Sequence, residues 1–398
     1  MVVMRSAYKF RAYPSKAQKI ILNRQMCLSK EIYNLLLDKS KAYYKDTKKT
    51  LTQYRMNVWL TQINKERPEF DELYSQVLQN VSKRIDDAYK SFFRRCKEKK
   101  LGKNVKVGFP RYKKFVSSLT YPQSGFKMEE KKVDLSKIGR INFVSHREIE
   151  GKTKTCTIKK TKSGEWHITL SVEKEDVIPF TNRMPIIGID LGIERYAALS
   201  DGSILQNKKI TGHQRNHLKT LQQEISRKEK GSHHRKSAVL RFAKYAEHIQ
   251  RIREDFLHKL SHNLVNSYSF IAYEDLNISG MMKNHHLARA IGESSWGNFT
   301  QLLQYKAESA GCVVVGVNPQ YTSQTCNGCR NVQRISLSQR TFICEKCGLS
   351  KDRDINASQN ILERATEGHS GSEASGDDVR HRANGAVATE GGTIRVAS

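Results

Sequence analysis

Three carboxylates and four cysteines stand where residue type and spacing could support chemistry. Asp190 ends an apolar run from Ile186 to Leu191 in IIGIDLG, and Glu274 closes a second, Phe270 to Glu274, in FIAYEDL. Asp354 lies in DRDINASQN, where a helix is expected to begin. A carboxylate in or just past a buried strand is costly unless something cationic compensates it. Hard oxygen ligands converging from separate elements suit Mg²⁺, which keeps several waters and binds phosphate oxygens. Two such ions would activate a water and stabilise the leaving 3′ oxygen in phosphodiester hydrolysis. The order Asp, Glu, Asp on strand, strand and helix is more specific than any one member. Taken singly, Asp190 also reads as a strand-end turn residue, and Asp354 as a plain helix N-cap. Asp275 follows Glu274, but strand neighbours face opposite ways, and Glu274 is in phase with Phe270 and Ala272. Asp352 competes with Asp354 for the third place, and the residues alone leave that choice open.

Cys326, Cys329, Cys344 and Cys347 read C-x2-C-x14-C-x2-C. Four thiolates at this spacing give tetrahedral Zn²⁺ coordination, each CxxC forming one knuckle. A redox CxxC is the competing reading, and the pairing of two such motifs favours the metal. With no open ligand position implied and no general base nearby, the zinc is structural. The remaining cysteines (Cys27, Cys96, Cys156, Cys312) are scattered, which points to a reduced, cytosolic protein rather than a disulfide scaffold. The 13 histidines form no HExxH, and His233-His234 and His285-His286 read as surface or phosphate contacts.

The elements that must carry these residues follow from periodicity. Ser6 to Tyr13 alternates like a strand and stops at Pro14, after which Ser15 and Gln18 have capping-box spacing. Ala17, Ile21, Leu28, Ile32 and Leu35 then predict one apolar helix face, and Leu78, Val81, Ile85, Tyr89 and Phe92 another. Residues 14–105 thus form a helical domain. Alternation at Trp166, Ile168, Leu170 and Val172, with a Ser163-Gly164 turn, predicts a small antiparallel β domain. The opening strand can pair with it, giving 1–13 and 106–182 as one domain around the helical insert. From Pro185 onward strands and helices alternate: Ile186 to Leu191, Tyr196 to Leu199 with an Asp201-Gly202 turn, and helices near 213–230 and 234–267. Strand Phe270 to Glu274, a helix near 298–310 ended by Gly311, and strand Cys312 to Val317 complete an α/β layer. The segment 366–398 is rich in Gly, Ser, Ala and Thr, and a disordered tail is expected there.

Charge limits the partners. Sixty-nine Lys and Arg against 40 Asp and Glu leave +29, a self-repulsion that a nucleic acid neutralises. Between Arg94 and Lys114 ten residues are basic and only Glu98 is acidic. Phe109, Tyr112 and Phe115 are interleaved there, a mix that suits a nucleic-acid groove, the alternative being a solvated loop whose aromatics plug the core. Residues 1–16 hold no sustained apolar stretch, and no run approaches a membrane span, so a cytoplasmic protein with no membrane partner is expected.

GIDLG at 188–192, YEDL at 273–276, the cysteine ribbon and DRDINAS at 352–358 together resemble the TnpB (OrfB) family. These are insertion-sequence proteins related to compact type V CRISPR nucleases. YKFRAYPSKAQ at 8–18, GFPR at 108–111 and YTSQTC before the first knuckle fit as well, so the resemblance covers about residues 1–364. It implies a multidomain α+β chain: a β-barrel wedge domain with the helical recognition domain inserted, then a RuvC-like (RNase H-like) nuclease domain. The latter, 183–320 and 350–365, is interrupted by the four-cysteine zinc ribbon at 321–349. It further implies an RNA-guided DNA endonuclease, a monomeric ribonucleoprotein near the prokaryotic nucleoid. Its partners would be a guide RNA from the transposon end and double-stranded DNA with a short adjacent motif. By motif, Asp190, Glu274 and Asp354 take the catalytic positions, because the family's last aspartate stands two residues before the NA pair. Ser358 departs from the commoner NAA. The rival functions are a guide-free resolvase or transposase of the same chemistry and a non-catalytic nucleic-acid-binding regulator, against which the intact acidic trio argues.

Overall fold

The computed structural model describes residues 4–174, 184–336 and 338–370. The chain divides into two compact units, Met1–Asp176 with Glu224–Lys244, and Val177–Gln223 with Tyr245–Ser398.

In the first unit, strand β1 (Met4–Tyr13) buries Tyr8, Phe10 and Ala12 on one face and stops at Pro14. The capping box forms: Gln18 N–H donates to Ser15 Oγ at 3.2 Å and Ser15 N–H to Gln18 Oε1 at 2.9 Å. It starts helix α1 (Lys16–Thr47), followed by α2 (Gln53–Glu66), a 3-10 turn at Pro68–Glu72 and α3 (Ser75–Lys100). The buried face of α1 is not quite the expected one. Leu22, Met26, Ser29, Tyr33, Leu36 and Leu37 join Leu28 and Ile32 inside, whereas Ala17 and Ile21 are not buried and Leu35 is half-buried. Small and amide residues (Gln25, Ser29, Ser40) sit on the buried side, which blurs the apolar stripe.

Strands β2 (Ser118–Pro122), β3 (Phe126–Glu129), β4 (Lys132–Leu135), β5 (Gly139–Phe143), β6 (Lys152–Lys160) and β7 (Trp166–Lys174) complete a seven-stranded antiparallel, barrel-like sheet in the order β2-β6-β7-β1-β5-β4-β3. β1 lies centrally, paired with β7 from Met4↔Lys174 to Ala12↔Trp166, so the sheet is incomplete without the opening strand. Helices and sheet share one apolar core. Phe109 belongs to it, its ring 5.3 Å from Tyr89 and 5.0 Å from Phe92, as a core plug rather than a stacking platform. Tyr112 and Phe115 are exposed, and Lys41 Nζ stands 3.6 Å over the Tyr112 ring.

The second unit holds β8 (Ile186–Leu191), β9 (Arg195–Leu199) and β10 (Ile204–Gln206), then β11 (Phe270–Glu274) and β12 (Val313–Val317). The sheet order is β10-β9-β8-β11-β12, antiparallel through β8 and parallel from β8 to β12. Helices α4 (Gly212–Ser226) and α5 (His233–Ser267) each contribute residues to both units. Short helices α6 (Ile278–Met281) and α7 (Ala288–Ser294) precede α8 (Trp296–Ala310), which ends on Gly311 at φ 70° as its sequence requires. The small hairpin β13 (Thr341–Ile343) and β14 (Ser350–Asp352) leads into α9 (Arg353–Ser370).

Alternation divides the central sheet into two faces. Ile187, Ile189, Leu191, Ile271 and Tyr273 share a core with Leu257, Leu264, Trp296, Phe299 and Leu303. Ala272 and Val317 pack instead against Ile361, Ala365 and Leu362 of α9. Helix α9 continues to Ser370, past Thr366 where the tail was expected to begin, and residues 371–398 of that tail lie outside the described ones. So does the end of the β domain, 175–182. Among the described residues no helix is long and apolar enough to cross a membrane.

Candidate functional site

Parallel register brings the first two carboxylates together. Tyr273 lies beside Ile189, so one step further along both strands sets Glu274 beside Asp190 on the face covered by α9. Both stand at the carboxyl ends of their strands, where crevices of α/β sheets form. Glu274 is buried while Asp275 is exposed, which separates the two neighbours as the strand phase anticipates. Helix α9 can approach because residue 188 is glycine: a Cβ there would lie 2.1 Å from Ser358 O and 2.9 Å from Leu362 Cβ. Ser358, fully buried, returns its own hydroxyl to Ile355 O at 2.7 Å.

Asp352 and Asp354 part company at the start of α9. Asp352, not Asp354, is the N-cap: its Oδ1 accepts the N–H groups of Asp354 at 3.0 Å and Ile355 at 3.3 Å. Its other oxygen pairs with Arg195 Nη1 at 2.6 Å. Burial would raise the Asp352 carboxyl, but Arg195 and the two backbone donors hold it below the usual range. Asp354, in the first helical turn, is thereby left out of capping. Arg353 donates to its Oδ1 at 3.0 Å, and Arg340 and Arg195 approach its Oδ2 at 3.8 and 4.0 Å.

Desolvation raises Asp190 well above the usual carboxylate range, and the negative charges of Glu274 and then Asp354 add to it. Glu274 is raised by its own burial, opposed by a hydrogen bond from Thr322 and by the charge of Arg364. The three carboxylates do not all come within 4.8 Å of one another, whereas the four cysteine sulfurs do. The donor set nevertheless fits Mg²⁺, since it is oxygen only and the desolvated Asp190 and Glu274 lie side by side where a cation would offset their charge.

The cysteines form a compact second centre. Cys326 Sγ lies 3.7 Å from Cys347 Sγ and Cys329 Sγ 3.5 Å from Cys344 Sγ. Arg330 N–H bonds to Cys326 O and Gly348 N–H to Cys344 O, closing a tight turn at each CxxC, over fully buried Phe342. The N–H groups of Cys347 and Lys346 draw the Cys344 thiol down to about 6. At Cys347 the N–H of Leu349 favours the thiolate, but the sulfurs of Cys329, Cys344 and Cys326 push it up to about 12. Four sulfurs this close make an all-sulfur donor set, which fits a structural metal.

Several residues of the site escaped the motif reading. Asn356 Nδ2 donates to Thr325 O at 2.7 Å while its Oδ1 accepts Asn327 N–H at 3.0 Å. Asn360 Nδ2 donates to Thr322 O and Thr325 O at 2.9 and 2.7 Å. These two buried amides fasten the first knuckle to α9. Their four-residue spacing in DINASQN was the available signal, since it sets both on one helix face. Arg195, Arg340 and Arg364 carried no such signal among so many basic residues.

Residues 296–361 match a family model described as "Cas12f1-like, TNB domain", which takes in all four cysteines and Asp354. Residues 169–285 match one described as "Probable transposase" of the OrfB type. Residues 1–49 match an OrfB model described as "Helix-turn-helix domain", although here they form β1 and the single helix α1. A relative from Streptomyces pristinaespiralis named "Putative RNA-guided DNA endonuclease" is 30% identical over 373 residues, covering 91% of this chain and 90% of its own. A similarly named protein of Escherichia coli (strain K12) is 28% identical over 378 residues, covering 89% and 91%. A solved Cas12f1-sgRNA-target DNA complex matches in fold with a TM-score of 0.54 at 14% identity, over 90% of this chain and 99% of that one. Identity and coverage of this extent, on top of the acidic and cysteine motifs, establish that the chain belongs to the TnpB (OrfB) family.

Proposed function

We propose that the protein is an RNA-guided DNA endonuclease that cleaves double-stranded DNA beside a short target-adjacent motif. The observation that carries this reading is the meeting of Asp190 and Glu274 on adjacent parallel strands, under a helix whose first turn presents Asp354. In this reading 183–320 with 350–365 is a RuvC-like nuclease domain, 321–349 a zinc ribbon, and 14–105 a recognition insert in a wedge built from 1–13 and 106–182. Asp190, Glu274 and Asp354 would hold two Mg²⁺, and Cys326, Cys329, Cys344 and Cys347 one structural Zn²⁺. When bound, Mg²⁺ supplies an activated water and stabilises the leaving oxygen. The chain's own residues prepare that site. Asp352 caps α9 and so frees Asp354, Gly188 lets α9 lie close, and arginines 195, 340 and 353 hold Asp354 while offering cationic contacts to a phosphate.

The excess of +29 supplies attraction to both nucleic acids, while guide pairing supplies sequence choice. The relatives named as RNA-guided endonucleases favour this reading over a guide-free resolvase. Purification from cells carrying the flanking DNA, followed by sequencing of the bound RNA, tests it. A discrete RNA ending in sequence beyond the element is expected, and exchanging that sequence should redirect cutting. Recovery of degraded bulk RNA only, with cutting indifferent to it, would favour the resolvase.

A further inference from the structure

We propose that Thr322 is a positioning residue for Glu274, and that it links the cysteine ribbon to the carboxylate site. This rests on the carboxylate reading above. Thr322 is 2% exposed, in the loop between β12 and the first cysteine knuckle, and its hydroxyl donates to Glu274 Oε1. The same oxygen lies 3.1 Å from Pro319 O. A hydroxyl has one proton, and both neighbours are acceptors. While Glu274 is a free carboxylate the charged acceptor takes that proton, fixing the rotamer of a side chain that could otherwise turn. A carboxylate offers about four lone-pair sites, so a cation can engage Oε2 or the second lone pair of Oε1 while Thr322 goes on donating. Thr322 therefore orients the ligand without competing for it.

The loop that presents this hydroxyl is held at both ends by α9. Arg364 Nη1 donates to Asn318 O at 2.6 Å and Gln320 O at 2.9 Å, and Asn360 Nδ2 donates to Thr322 O. Tyr321 adopts φ 63°, and Thr325 Oγ1 returns to Tyr321 O at 2.8 Å, one residue before Cys326. The backbone is thus continuous and hydrogen-bonded from the first metal-binding cysteine to the Glu274 contact. Partners of metal ligands commonly set affinity by about ten- to a hundred-fold.

The test compares Thr322→Val, which keeps the branched shape and removes the donor, with Thr322→Ser, which keeps the donor. Mn²⁺ binding to the intact ribonucleoprotein is read by electron paramagnetic resonance of the free ion, with Asp190→Ala supplying the background from RNA. The Mg²⁺ dependence of cleavage of a guide-matched duplex is measured alongside. Thr322→Val is expected to weaken Mn²⁺ binding about ten-fold and to shift the Mg²⁺ midpoint equally, with target binding unchanged and Thr322→Ser within about two-fold of the unsubstituted protein. Unsubstituted behaviour of Thr322→Val, or equal failure of both variants, would overturn the proposal. If Glu274→Ala itself bound Mn²⁺ and cut normally, the carboxylate site would fall, and the role of Thr322 with it.

Discussion

Gly188→Ala puts the packing of α9 on β8 to a numerical test. The added Cβ would sit 2.1 Å from Ser358 O and 3.0 Å from Leu362 N, against an ordinary contact of 3.4 Å or more. Both obstacles are helix backbone, so no side chain can swing aside, and α9 must retreat by about 1.3 Å. Overpacking of this kind costs about 1–3 kcal/mol. The larger consequence is geometric. Asp354 rides on α9 one turn before Ser358, while Asp190 and Glu274 stay with the sheet, and misplacement by about 1 Å can cost about a hundred-fold in rate. Gly212→Ala, where nothing lies within 4 Å at a helix start, is the control and should change neither property by more than a little. The assay pairs thermal unfolding with single-turnover cleavage of a guide-matched duplex. A Gly188→Ala protein that melts and cuts like the unsubstituted one would refute the packing argument and the role it gives α9.

The capping geometry separates two neighbouring aspartates: Asp352→Ala should lose about 1 kcal/mol of stability and retain measurable cutting, whereas Asp354→Ala should stay folded and cut nothing. Similar cleavage by both would undo that distinction. Acidity gives a signed outcome as well. Asp190 and Glu274 hold protons to higher pH in the folded chain than in the unfolded one. Their penalty to the metal-free protein is therefore absent below the ordinary carboxylate range and grows as pH rises to their raised values. Asp190→Asn should raise the melting temperature of metal-free protein at about pH 8 but not at about pH 4, and Mg²⁺ affinity of the unsubstituted protein should fall as pH is lowered through the same window. Cys326→Ser should drop the bound zinc measured by atomic emission and lower the melting temperature, and stoichiometric zinc retained by that variant would argue against the ribbon.

Much of this architecture was legible because local chemistry determined it. The Ser15 and Gln18 box, the alternation through Trp166 to Val172 and the apolar strands ending at Asp190 and Glu274 each need only neighbours in sequence. Glu274 and Asp275 part the same way, one buried and one exposed, because strand neighbours face opposite sides. Residue type and spacing alone did not separate Asp352 from Asp354, since both are acidic, adjacent to a helix start and suited to capping; the family motif was what pointed to Asp354. The hydrogen bonds to the N–H groups of Asp354 and Ile355 give the physical difference, with Asp352 as the cap. Phe109 shows the converse limit: its basic surroundings suggest nucleic acid, and its ring lies against Tyr89 and Phe92. Thr322, Asn356 and Asn360 act across 29 to 48 residues of chain, where periodicity carries no information.

The central claim is that one carboxylate trio cuts DNA. Ribonucleoproteins bearing Asp190→Ala, Glu274→Ala or Asp354→Ala, at matched concentration, are incubated with guide-matched duplex and Mg²⁺. Cleavage of each strand and duplex binding are followed together. Each variant is expected to lose about a thousand-fold or more in cutting of both strands while binding the duplex within about two-fold of the unsubstituted complex. Undiminished cutting by any one of the three, or loss on one strand only, would contradict a single shared site.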